Sequence, residues 1–207
     1  MRLTKYGHAC IRIDVEGGAF VVDPGTFSPD VDLDGVTDVL VTHEHADHLD
    51  VDRFVPLVRD GLRLHTTGSF AAELREQHDL EVTAVEPGAT FAVAGVDVQV
   101  VGGDHAEIYE GLPGCANVGF VMGGVYHPGD SVFVPDVEVE TLLVPVSAPW
   151  LKLAEALDFV RAVAPSRAFP VHDAMFSDLG NSLTDRWVDM KGGAAYRRLA
   201  PGESVEL

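Results

Sequence analysis

The sequence predicts an α+β fold of two sheets packed together and covered by helices. Three observations carry this. Short apolar, β-branched runs dominate the first two-thirds, Gly and Pro pairs punctuate them, and helical segments are few and interspersed. No fixed-period repeat, low-complexity tract or Pro/Ser linker divides the 207 residues, so one domain over 1–207 is expected. Hydrophobic residues at 46% supply material for a full core. The pattern alone does not separate this layout from other α/β arrangements.

Residues 9–15 (ACIRIDV) alternate apolar and polar, as a half-buried strand does. Further strands are expected at 19–23, 38–42, 62–67, 81–86, 90–95, 96–103 and 117–123, and short apolar runs lead into Asp130 and His172. Turns fall at Gly17–Gly18, Pro24–Gly25, Pro87–Gly88 and Gly123–Gly124. Ser69–His78 reads as an amphipathic helix with Ser69 as N-cap. In Ala148–Ala164, residues Leu153, Leu157, Val160 and Ala164 recur at helical spacing, ending before Pro165. A weaker helix runs through Asp50–Arg59, interrupted by Pro56, and a last one lies near Thr184–Met190.

Charge limits the partners. The chain has 33 Asp+Glu against 14 Lys+Arg, a net −19, and its only lysines are Lys5, Lys152 and Lys191. Such a surface repels nucleic-acid phosphates and lacks the basic amphipathic helix of a membrane anchor. No nucleic-acid or membrane partner is therefore expected. Cys10 and Cys115 form no disulfide framework, and no signal-like or membrane-spanning apolar run occurs, so a cytoplasmic location is expected.

The chemistry concentrates in "VTHEHADHLD" (41–50), where three histidines and three acids follow an apolar run. In an extended chain residues i and i+2 share a face, so His43, His45 and Asp47 point one way; His48 follows at a turn. Such an end offers two imidazoles to one metal, and an aspartate and an imidazole to a neighbour. A catalytic metal needs about three protein ligands and one open position, so distant partners are required. Ligand-type residues stand at three later strand ends: His105 in "VVGGDHAEIY", Asp130 in "VYHPGDS" and His172 in "RAFPVHDA".

"YGHACIRI", "FVVDPG", "VTHEHADHLD", "YHPGDS" and the late "PVH" together resemble the metallo-β-lactamase superfamily over nearly the whole chain. The likeness is greatest to its small single-domain branch, which includes ascorbate-6-phosphate lactonase. The resemblance implies a four-layer αββα sandwich of the metallo-β-lactamase type, two mixed sheets with helices outside and the site at one edge. By position it places His43, His45 and His105 on one metal. Asp47, His48 and His172 would hold a second, with Asp130 bridging. It implies two divalent ions, zinc first, with manganese or iron as rivals, because mixed His/Asp sites accept all three.

Two such ions about 3.5–4 Å apart share a water and hold it as hydroxide. With Asp47, Asp130 and hydroxide counted, the centre carries about +1 and attracts anionic groups. The implied activity is a metal-dependent hydrolase acting on an ester, lactone, thioester, amide or phosphodiester of a small anionic substrate. Asp47 would orient the nucleophile and pass on its proton. His8, where the branch also tends to carry His, is a candidate contact beside the site or a strand-end histidine satisfied by backbone. Asp23 braces the metal loop or simply forms the turn before Pro24. His127 is near the centre or an ordinary strand residue; His65 and His78 are ordinary. Substrate contacts are sought in the 104–120 loop, notably Tyr109 and Asn117, unless that loop is merely solvated. Trp150 and Lys152 stand at a helix start within reach of the site, Trp150 being either core or substrate platform. Small members of the branch often self-associate, which leaves a homo-oligomer open.

Other classes compete. A mononuclear iron sulfur dioxygenase uses the same scaffold. A flavodiiron reductase would need a carboxylate where His45 stands. A processing nuclease would need RNA-holding domains for which 207 residues leave no room, and an antibiotic-cleaving lactamase would need export. A non-catalytic metal-binding protein predicts lost ligands, yet all seven positions are filled.

Overall fold

The computed structural model describes residues 1–28, 30–112 and 114–207. The first sheet is built from β1 (Arg2–Gly7), β2 (Cys10–Val15), β3 (Gly18–Val22), β4 (Val36–Leu40), β5 (Arg63–Thr67) and β6 (Thr83–Val85). The second is built from β7 (Thr90–Val93), β8 (Val96–Asp104), β9 (Ala116–Met122), β10 (Val125–His127), β11 (Thr141–Pro145), β12 (Arg167–Val171) and β13 (Ala195–Tyr196). The last strand, β14 (Ser204–Glu206), returns to the first sheet beside β1. The strand orders are β14-β1-β2-β3-β4-β5-β6 and β13-β12-β11-β10-β9-β8-β7. Both sheets are mixed: β1–β3 and β7–β10 run antiparallel to their neighbours, whereas β3–β6 and β10–β13 pair in parallel.

Strand alternation makes the four layers. Phe20, Val22 and Leu40 of one sheet meet Val98, Phe120, Leu143 and Phe169 of the other in a central core. Their neighbours Val21 and Val39 point outward onto Phe54 and Val58 of α1 (Val51–Arg59) and Phe70 and Leu74 of α2 (Gly68–His78). On the far side, Leu142, Val144 and Ala168 pack on Phe159 and Val160 of α3 (Leu153–Val163) and Val188 of α4 (Asp178–Lys191). Strands buried on both faces must be apolar at every position, which is why these runs read as continuous rather than alternating. Each such side chain contributes roughly 1.5–3 kcal/mol through burial. The αββα sandwich expected from the sequence is the architecture found.

Several details differ. Strand β4 stops at Leu40, so the His-rich stretch is a loop of bends and a turn over 46–48 rather than a strand end. Pro56 does not interrupt α1: it faces solvent, while Phe54 and Val58 anchor the other face. The cap of α2 is Thr67, whose hydroxyl accepts the Phe70 N–H; Ser69 lies inside the helix. Helix α3 starts at Leu153, and α4 starts at Asp178, well before the expected Thr184, because Ser177 caps it. Strands β1, β11, β13 and β14 had no assignment, since a short run gains its strand character only by pairing. Among the described residues no helix is long and apolar enough to cross a membrane.

Candidate metal centre

The site lies at one end of the sandwich, where loops leave β1, β3, β4, β8, β10 and β12. Asp23 follows β3 in a left-handed conformation. One oxygen accepts the Thr42 backbone N–H and the other the Thr42 hydroxyl, each at 2.8 Å. The second oxygen also accepts from His48 Nδ1 at 2.7 Å. This ties the 41–50 loop to β3. The loop is pressed further against Gly25, where a Cβ would stand 1.9 Å from the Asp47 carbonyl oxygen.

Each central imidazole is held through one nitrogen. His43 Nδ1–H donates to the Thr42 hydroxyl at 3.0 Å, His105 Nδ1–H to the Ala106 carbonyl at 2.6 Å, and His172 Nδ1–H to the Ser147 carbonyl at 2.5 Å. Fixing Nδ1 as donor leaves Nε2 with a lone pair, the form a metal ligand takes. Asp130 is set by buried Asn117, whose side chain accepts the Asp130 N–H and donates to the Pro128 carbonyl. Gly129 between them has φ +63°, and a Cβ there would lie 2.3 Å from Asn117 Oδ1. Only glycine serves in that turn.

The free atoms converge in two groups. His43, His45, His105 and Asp130 form one, and His8, Asp47, His48 and His172 the other, with ligand atoms within 4.8 Å of one another in each. His43 Nε2 and His45 Nδ1 are 3.0 Å apart. Asp130 joins the groups: its oxygens lie 3.0 Å from His48 Nε2, 3.2 Å from His105 Nε2 and 3.2 Å from His172 Nε2. Yet among the described residues, eight buried side-chain N or O atoms lack a hydrogen-bond partner, and four of them are here: His48 Nε2, His105 Nε2, His172 Nε2 and Asp130 Oδ1. An orphaned buried polar atom costs about 1–3 kcal/mol, so four facing one space fit a cation they could ligate. His8 differs. Its Nε2–H donates to Asp47 at 3.1 Å and its Nδ1 accepts the Ala174 N–H at 3.3 Å, so both nitrogens are used and it holds Asp47.

The charges polarise one another. Burial raises the Asp47 carboxyl, but the adjacent His172 ring and the hydrogen bond from His8 outweigh it and hold it far below the usual range. Asp130 is likewise depressed, burial being outweighed by the charge of His48 and the closeness of the His105 and His172 rings. Burial, then repulsion from His48, keeps His43 neutral. Burial lowers His172, but the Asp130 and Asp47 carboxylates carry it up to about 9.

The other candidates separate clearly. His127 is a brace: Nε2–H donates to the Ala9 carbonyl and Nδ1 accepts the Gly129 N–H. His65 bonds Asp38 away from the centre, and His78 lies in the last turn of α2. Asn117 is fully buried and therefore shapes the Asp130 turn, while Tyr109 is exposed. Trp150 belongs to the site, donating Nε1–H to Asp130 Oδ2 at 3.1 Å, with its ring 6.0 Å from His105 and 6.1 Å from His172. Lys152 points to Glu155 and solvent. A cavity of about 420 Å³ opens beside His45 and His105, bounded by Glu44, Glu107, Ile108, Leu112 and Cys115 of the 104–120 loop and its surroundings. Pro113 in that loop lies outside the described residues. Sequence reasoning passed over Thr42 and Ser147, because a hydroxyl or carbonyl acceptor leaves no motif.

Known proteins resemble this chain in sequence and in fold. A family described as "Beta-lactamase superfamily domain" matches residues 2–172. Protein Rv0786c of Mycobacterium tuberculosis is 38% identical over 184 residues, 84% of this chain and 85% of that one. The UPF0173 metal-dependent hydrolase MK1542 of Methanopyrus kandleri is 31% identical, with both chains fully covered. The metallo-beta-lactamase fold protein YhfI of Bacillus subtilis superposes with a TM-score of 0.77 at 12% identity, over 99% of this chain and 98% of that one.

Proposed function

The chain belongs to the beta-lactamase superfamily, among its UPF0173 metal-dependent hydrolases, and we propose that its His/Asp cluster binds two divalent cations to cleave an ester, lactone, thioester, amide or phosphodiester of a small anionic substrate. The observation that carries this reading is the pair of ligand groups with Asp130 of the one group 3.0 Å from His48 and 3.2 Å from His172 of the other. His43, His45 and His105 would hold one ion, His48, His172 and Asp47 the other, with Asp130 between them. Zinc is the first choice for this donor set, with manganese and iron as competitors. Bound there, the ions would supply Lewis acidity and bring the pKa of a water toward neutrality.

The chain's own groups do the rest. Asp47 is the carboxylate of the cluster most open to solvent, at 24% side-chain exposure against 4% for Asp130. A substrate and its water therefore meet an oxygen of the Asp47 carboxylate, which would orient the attacking water and take its proton. The same oxygen can return that proton to the leaving group. His8 Nε2–H fixes this carboxylate, so His8 acts through Asp47. Trp150 N–H steadies Asp130, and its ring covers the centre beside His105 and His172.

The test is metal analysis of the purified protein together with a panel of lactone, thioester, phosphodiester and amide substrates. Two equivalents of metal and turnover of one class, lost in Asp47→Ala, are expected. A protein that takes up neither zinc, manganese nor iron overturns the reading.

A further inference from the structure

Helix α4 is amphipathic in an unusual sense: Thr184 and Val188 are buried against the sandwich, yet its outer face is also apolar. Leu179, Leu183, Trp187 and Met190 are each 43–70% exposed. At about 100° per residue they fall within one stripe. Phe176, also exposed, extends it: a Cβ on Gly180 would lie 3.1 Å from Phe176 Cβ, so its ring lies over the first turn. Five such side chains expose on the order of 500 Å², the size of the largest patch on an ordinary monomer and over half of the ~800 Å² each partner buries in a standard interface.

We propose that this stripe is an interface with a second copy of the same chain, α4 packing antiparallel on its partner's α4 about a twofold axis at Leu183. The spacing argues for it. Leu179 and Trp187 stand four residues either side of Leu183, and Phe176 and Met190 seven. A twofold there sets Leu183 on Leu183, Leu179 on Trp187 and Phe176 on Met190, so every apolar group meets another. Such self-complementarity is what an isologous contact requires. Antiparallel pairing also opposes the two helix dipoles. An anionic membrane is disfavoured as the occupant, because a chain of net −19 is repelled by it.

Sedimentation velocity on the full chain at about 1–100 μM tests this, with vesicles containing anionic lipid as a second arm. A dimer is expected that Leu183→Glu converts to monomer with an unchanged far-UV spectrum. Dimerisation should tighten with added salt, which screens the repulsion of two −19 chains. A monomer throughout, a dimer indifferent to Leu183→Glu, or binding to the vesicles overturns the proposal.

Discussion

His48 Nδ1 lies 2.7 Å from Asp23 Oδ2, and both side chains are wholly buried. Burial lowers the imidazole pKa, but the Asp23 and Asp130 carboxylates outweigh it and raise it well above its ordinary value. Asp23 thus decides which nitrogen of His48 faces the centre. Asp23→Asn can turn an amide N–H toward the ring and favour the wrong tautomer. Metal affinity should fall about 10–100-fold, the usual cost of losing a partner that orients a ligand. Competition with a chromophoric chelator measures this, and wild-type affinity would count against the role.

His8 acts on Asp47 through one hydrogen bond. His8→Ala should leave bound metal close to wild type while kcat drops about 10–100-fold. His8→Gln, which keeps a donor, should recover part of the loss. If metal is lost in proportion to activity, His8 is a ligand instead.

Gly25 is where two site loops meet. Gly25→Ala drives a methyl into the Asp47 carbonyl, so stability should fall by about 1–3 kcal/mol. Metal binding should weaken with it, because the displaced backbone carries Asp47 and His48. Denaturant unfolding of the metal-free and metal-loaded protein separates the two effects; an unaltered midpoint would show that the loops can part freely.

Asp38 offers a control remote from the centre. Burial raises its carboxyl, but hydrogen bonds from Arg63 and His65 outweigh it and depress the native pKa below the ordinary 3.8. A depressed carboxyl stabilises above its unfolded pKa and loses that contribution as pH falls through 3.8 toward the native value. Asp38→Asn should therefore cost roughly 1.5–3 kcal/mol near pH 7, as loss of a charged hydrogen bond does. The gap from wild type should close as pH drops below about 4. Unfolding series from pH 3 to 7 would show it, and a gap that is constant with pH would rule the pairing out as its source.

Legibility followed chemistry more than geometry. His43, His45, Asp47 and His48 stood out because four ligand-type residues in six positions are hard to bury without a cation. The face argument divided them as His43/His45 and Asp47/His48, and the structure keeps these pairs in separate groups. Its premise failed all the same, since the loop leaves β4 at Leu40 and the turn at 46–48 does the separating. Trp150 read equally well as core, because an indole buries a ring wherever it lies and only its N–H shows what it serves. Asn117 looked like a loop residue reaching for substrate, whereas burial and two hydrogen bonds bind it to the Asp130 turn.

The αββα arrangement followed from the family that the motifs resemble; by itself the sequence determined a layered α+β fold, through short apolar runs punctuated by turns, and the inventory of metal-type ligands at chain positions where strands end. Those are local properties, fixed by side-chain chemistry and spacing. The tertiary structure alone decided that Asp23 and Ser147 lock His48 and His172 through one nitrogen each, that His8 holds Asp47, and that Trp150 closes over Asp130. These contacts join segments as far apart as residues 8 and 47, or 130 and 150. They exist only once two sheets stack and bring their loops to one end, so no window along the chain contains both partners.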